Sequence, residues 1–213
     1  MAEDIDLKEL EKKAWKSTFE DGIFEIYFGI LHLSLSIGII LDRVLPEALS
    51  SIIAISIIGL GLIFFLLAKK FISEPRIGKV KFGFSRVKRK IKTIGVLTAN
   101  FLILLILYLI GVLYPQFRIV LPGYLYGLIV GLLFFSIPLC FVAYFLQFNR
   151  LYIIAILIGL SFFLDEIFAL LLIPQPFDSL LAFGSISIII LSIGLSVFIR
   201  FLKKYPLPKE VIT

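Results

Sequence analysis

Asp165 and Glu166 stand side by side within an otherwise apolar run, Leu151 to Ile173. The sixteen Leu, Ile and Phe of that run each favour insertion into a bilayer by about 0.3–0.6 kcal/mol, and each central acid opposes it by about 2.5–3.5 kcal/mol, so the pair nearly cancels the run. Such carboxylates are tolerated when they face a polar interior, carry a proton or meet a cation, which are also the conditions for binding or relaying an ion. Adjacent positions project about 100° apart on a helix, so the two acids are expected to have different partners. Counted back from Pro174 at about 1.5 Å per residue they lie about 13 Å below one end of the span, and His32, counted back from Leu41, lies at a similar depth. The expected polar centre is therefore His32, Asp165 and Glu166, with Asn100 as a further member, provided the first and fifth spans adjoin. Arg43 and Arg118 are the candidate counter-ions; if either reaches inward, the pair is a structural lock rather than a working site.

The elements that must position these groups are membrane helices. With 213 residues, 60% of them apolar, 22 Phe and a mean hydropathy of +1.08, the chain is far more apolar than a soluble domain of its size. Its apolar residues fall in runs of about twenty, long enough to cross a bilayer. The expected fold is all-α, a single membrane domain over 1–213 built as a polytopic bundle of six transmembrane helices at about 22–41, 48–68, 93–114, 123–146, 151–173 and 179–202. Residues 1–17 are expected to add a short amphipathic interfacial helix. There Leu7, Leu10 and Ala14 share a face, Asp6 and Glu9 have capping-box spacing, and Trp15 suits the headgroup boundary. A second capping-box pair, Ser17 and Glu20, predicts the start of the helix that becomes the first span.

Between the second and third spans, residues 69–92 carry ten Lys or Arg against one acid, Glu74. Pro75 is expected to break any helix there, and Val80, Phe82 and Phe84 alternating with Lys79, Lys81 and Gly83 predict a short extended strand at the interface. Lys79, Lys81, Arg86, Lys88, Arg89 and Lys90 are read as headgroup-binding residues of a basic cytoplasmic loop. Of 21 Lys and Arg in the chain, only Arg43 and Arg118 fall in the proposed outer turns. That asymmetry predicts a multi-pass protein of the cell membrane with both termini cytoplasmic. The acidic start of the chain predicts no removable signal peptide.

Within the spans, Gly22, Glu25, Gly29, His32 and Ser36 recur at spacings of three and four and form one stripe that should face protein. Glu25, about one turn inside the cytoplasmic boundary, is expected to snorkel to water or pair with a loop lysine. Gly123, Gly127 and Gly131 form a helix-packing face on the fourth span, followed by Pro138 as a kink. Asn100, Leu104, Tyr108 and Gly111 form a mixed stripe on the third span. Ser185, Ser192 and Ser196 do so on the sixth, as helix glue.

Catalytic signatures are missing, and no enzyme activity is expected. One histidine excludes an H-E-x-x-H zinc helix, and one cysteine, Cys140, excludes a multi-cysteine metal site, so neither a metal nor a cofactor is expected. FGSIS lacks the context of a nucleophile elbow, and LDEI lacks the glycine-aspartate setting of intramembrane aspartyl proteases. The net charge of +6 sits near span ends, which suits anionic headgroups and not nucleic acid.

The pieces WKSTFEDGIFEIYFGILHL and EPRIGKVKF resemble segments of a family of multispanning prokaryotic membrane proteins, archaeal and bacterial, with an entry segment of this type and a P-R-x-G-x-V-K-F loop. The resemblance covers about a fifth of the chain and implies a membrane fold but no activity. By layout alone, six spans in a small basic protein are similar to the substrate-binding components of energy-coupling factor transporters. A surface helix before the first span and a loop after the second are similar to permease subunits of ABC exporters. The expected function is the binding or movement of a small solute or ion through the buried polar centre. The alternative is a non-catalytic membrane subunit or scaffold, as a homo-oligomer or with a partner held at the glycine face of the fourth span or the basic loop.

Overall fold

The computed structural model describes residues 7–78, 84–113 and 121–206. They form two compact units, Met1–Gly83 with Ser187–Thr213 and Phe84–Ile186. The first unit holds α1 (Leu7–Ser17), α2 (Ile23–Val44) and α3 (Glu47–Ala68), which continues through a π-helical turn, Lys69–Ser73, into α4 (Glu74–Ile77). The second holds α5 (Phe84–Leu113), α6 (Gly123–Val130), a π-helical segment Gly131–Ser136, α7 (Ile137–Leu146) and α8 (Arg150–Leu170). The last helix, α9 (Phe177–Lys204), gives its start to the second unit and everything from Ser187 onward to the first.

Six continuous helical runs are long and apolar enough to cross a bilayer: Ile23–Val44, Ala48–Ile77, Val87–Leu113, Gly123–Leu146, Arg150–Leu170 and Phe177–Lys204. The chain is thus an all-α, multi-pass membrane protein, in which helices satisfy the backbone without water. Ile52, Leu60 and Ile63 on α3, and Ile94, Phe101 and Ile106 on α5, are exposed as acyl-chain contacts would require.

Prolines punctuate these helices in two ways. Pro46 and Pro122 stand just before α3 and α6, and their carbonyls accept the N–H groups of Leu49 and Ser50, and of Leu125 and Tyr126. Pro75 and Pro138 instead lie inside helical runs, each after a π-helical segment and a Ser-x-Pro triplet, Ser73-Glu74-Pro75 and Ser136-Ile137-Pro138. A proline has no N–H and its ring crowds the carbonyl four residues back. Widening the preceding turn relieves that crowding, as in the bonds from Glu74 N–H to the Lys69 carbonyl and from Ile137 N–H to that of Leu132. The expected break at Pro75 is therefore corrected: the helical run of the second span continues to Ile77 and ends at Gly78, whose φ of 78° suits glycine alone.

Other boundaries also shift for local reasons. Ser17 does not open the first span, because its hydroxyl donates to the Ala14 carbonyl and helps close α1. The first span starts at Ile23, behind Gly22 at φ 74°. The fifth span stops at Leu170 rather than at 173. Ile173 N–H bonds the Phe168 carbonyl and Leu172 N–H that of Ala169, a Schellman closure with Leu172 at φ 60°. Arg86, Lys88, Arg89 and Lys90 lie on α5 and not in a loop, while the strand expected over 80–84 falls outside the described residues apart from Phe84, which opens α5. Trp15 turns inward: it is 1% exposed, with Phe19 edge-on at 5.7 Å.

Candidate functional site

The second unit carries the adjacent acids. Asp165 and Glu166 are half-buried near the end of α8, and the 100° offset sends them to different neighbours. Asp165 Oδ1 accepts a hydrogen bond from the Ser179 hydroxyl at 2.6 Å. The backbone N–H of the same serine donates to Asp178 Oδ1 at 2.7 Å, so one residue at the start of α9 bridges two carboxylates, and Asp178 is only 2% exposed. Glu166 lies instead over α6. Its carboxylate occupies the space that a Cβ at Gly123 would need, and its Cγ lies 2.9 Å from where one at Gly127 would stand.

Glycine sets the spacing beneath that group. A Cβ at Gly127 would meet the Phe162 carbonyl at 2.5 Å, and Gly131 and Gly159 abut backbone to backbone, so α6 and its π-helical continuation lie against α8. Phe135 stacks on Phe162 at 4.3 Å, and the Ser136 hydroxyl donates to the Ala155 carbonyl at 2.8 Å. Asn100 has a local duty. Pro138 leaves the Phe134 carbonyl without its usual donor, and Asn100 Nδ2 supplies one at 3.1 Å.

His32 belongs to the first unit, where it is 2% exposed on the stripe with Glu25 and Ser36, both fully buried. The Gly22–Gly29 part of that stripe faces α9. A Cβ at Gly22 would sit 2.5 Å from the Gly194 carbonyl oxygen, one at Gly29 would meet Leu191, and one at Gly194 would meet the Ile26 nitrogen at 2.7 Å. These contacts run antiparallel, with Gly22 doubly constrained by its positive φ and by the α9 backbone. At the far end of α2, the Ser50 hydroxyl donates to Asp42, closing the hairpin beside Arg43. Arg118, Lys79 and Lys81 lie outside the described residues, and the side chain of Arg86 is not among those described. Lys88 and Lys90 are exposed and Arg89 half-exposed.

A further buried polar cluster was not singled out from sequence. Asp21 is fully buried; its Oδ1 takes the Ile23 N–H at 3.1 Å, and its Oδ2 takes Lys69 Nζ at 2.6 Å and the Ser73 hydroxyl at 2.5 Å. Lys69 Nζ also donates to the Thr18 carbonyl at 2.6 Å and lies 4.6 Å from the centre of the Phe24 ring. Next to it, Glu20 Oε2 accepts from Lys204 at 3.1 Å and from the Tyr205 hydroxyl at 3.2 Å. The acids at the head of α2 thus tie down the ends of α3 and α9. Asp178 and Ser179 were missed too, though an Asp-Ser pair just after Pro174 and Pro176 is a helix-start signal. No group of three or more His, Cys, Asp or Glu placed to hold a metal occurs among the described residues. No protein-family model matches the chain, and comparison with curated proteins and with solved structures finds no match.

Proposed function

We propose that the protein binds or moves a small solute or ion through the polar end of its second unit, with Asp165 as ligand or proton carrier. The supporting observation is the Asp165–Ser179–Asp178 bridge, two carboxylates sharing one serine within otherwise apolar membrane helices. A cation or a proton offsets that arrangement at less cost than burying two bare charges. In this reading the protein lies in the cell membrane with α1 on the cytoplasmic side, and it performs no covalent chemistry. The competing scaffold reading placed a partner at the glycine face of the fourth span or at the basic loop. Gly127 and Gly131 already meet α8 of the same chain, so that reading rests on the basic loop.

Proteoliposomes test the proposal. Wild-type protein should dissipate an imposed gradient of H⁺, Na⁺ or K⁺ faster than empty liposomes. Asp165→Asn keeps size and hydrogen bonding but removes the exchangeable proton, and should abolish that flux while leaving the melting temperature in detergent unchanged. Flux at the empty-liposome rate for all three ions, or unaltered flux in Asp165→Asn, would overturn it.

A further inference from the structure

At the α1 end of the first unit two acids, Glu20 and Asp21, are engaged by side chains of the same unit, whereas six of its cations stand exposed, with Glu9 of α1 exposed beside them. Asp21 is fully buried on Lys69 and Ser73, and Glu20 holds Lys204 and Tyr205. Around them Lys12, Lys13 and Lys16 of α1, Lys70 beyond α3, and Arg200 and Lys203 at the end of α9 are exposed. Trp15 of α1 packs inward at 1% exposure, while Lys12, Lys13 and Lys16 of the same helix face out. Lys12 and Lys16 are one turn apart with Lys13 beside them, so a single face presents all three. Next to Lys70, Phe71 is 63% exposed, and the ammonium lies 5.5 Å from the ring centre, the aromatic-plus-cation pairing that suits a membrane boundary.

We propose that this end of the first unit is a docking surface for anionic lipid headgroups, with the α1 lysines reaching the phosphates. The cations surround the ends of three membrane helices, α2, α3 and α9, and lipid phosphates are the anions present at that level. The surface is extended, so a lipid layer engages it as a set of charges where one free phosphate meets only a part. Each lysine near an anionic surface contributes about fivefold in affinity, and salt screens the effect over about 10 Å.

The test uses the full chain in detergent, titrated with phosphatidylglycerol or phosphatidylcholine while the melting temperature is read. Phosphatidylglycerol should raise the wild-type value and phosphatidylcholine should not, with the rise erased by high salt. Replacing Lys12→Gln, Lys13→Gln and Lys16→Gln together should increase the phosphatidylglycerol needed for half the rise by about fivefold per lysine. Arg200→Gln with Lys203→Gln should shift it in the same direction. All these side chains are exposed, so the variants should melt like wild type in phosphatidylcholine. An equal response from wild type and both variants, or the same rise with inorganic phosphate at matched concentration, would overturn the proposal.

Discussion

Three donors converge on Asp21, and two of them, Lys69 and Ser73, come from the π-helical turn that follows α3. Removing the carboxylate charge strands a lysine whose side chain is 21% exposed, while removing the lysine strands a fully buried acid. Asp21→Asn is therefore expected to cost about 3 kcal/mol in detergent unfolding, with Lys69→Gln similar and the double variant well short of the sum. Additive single losses would show that the two groups do not act as a pair. None of this was visible in the local pattern around Asp21, because Lys69 and Ser73 are 48 and 52 residues away. The Ser17–Glu20 spacing instead suggested a cap that the hydroxyl of Ser17 does not make. Asp165 and Glu166 were legible for the opposite reason: an acid in an apolar run costs so much that composition alone singles it out.

Helices were the most legible elements, since runs of about twenty apolar residues leave little other choice in a bilayer. Their ends were less so, because Schellman closures at Gln147 and Leu172 use residues that seldom adopt positive φ. Asn100 illustrates how an element can explain a residue: its amide repairs the carbonyl orphaned by Pro138. Asn100→Ala should cost about 1 kcal/mol in the native chain and markedly less in a Pro138→Ala background, where the helix regains its own donor. Equal losses in both backgrounds would reject that account. Glycines divide by neighbourhood. Gly131→Ala and Gly159→Ala, pressed between backbones, should destabilise by about 1–3 kcal/mol. Gly59→Ala and Gly95→Ala, with nothing within 4 Å of the added methyl, should be neutral or up to about 1 kcal/mol stabilising, as thermal melts would register.

For the molecule as a whole, the only tryptophan reports on how the N-terminal helix is seated. An interfacial Trp15, as the amphipathic pattern suggested, would be strongly quenched by brominated lipids; packed at 1% exposure it should emit at short wavelength and resist them. Sequence patterning could show that α1 has an apolar face but not whether lipid or protein covers it, since both offer the same solvent quality. The same limit hid Asp178, whose helix-start position is common and whose nearness to Asp165 is a tertiary fact. The first unit is also discontinuous along the chain, joining residues before Gly83 to residues after Ser187, whereas the second is contiguous. During synthesis α2 therefore reaches the membrane long before its neighbour exists, and Glu20 waits 184 residues for Lys204. Biogenesis thus acquires an order: the latch from Asp21 to Lys69 can close early, the contiguous unit can assemble next, and the buried face of α2 is sealed only when α9 arrives. Until then Glu25 and the glycines beside it lack their α9 neighbour, and the nascent chain depends on lipid, water or an insertion partner to shelter them.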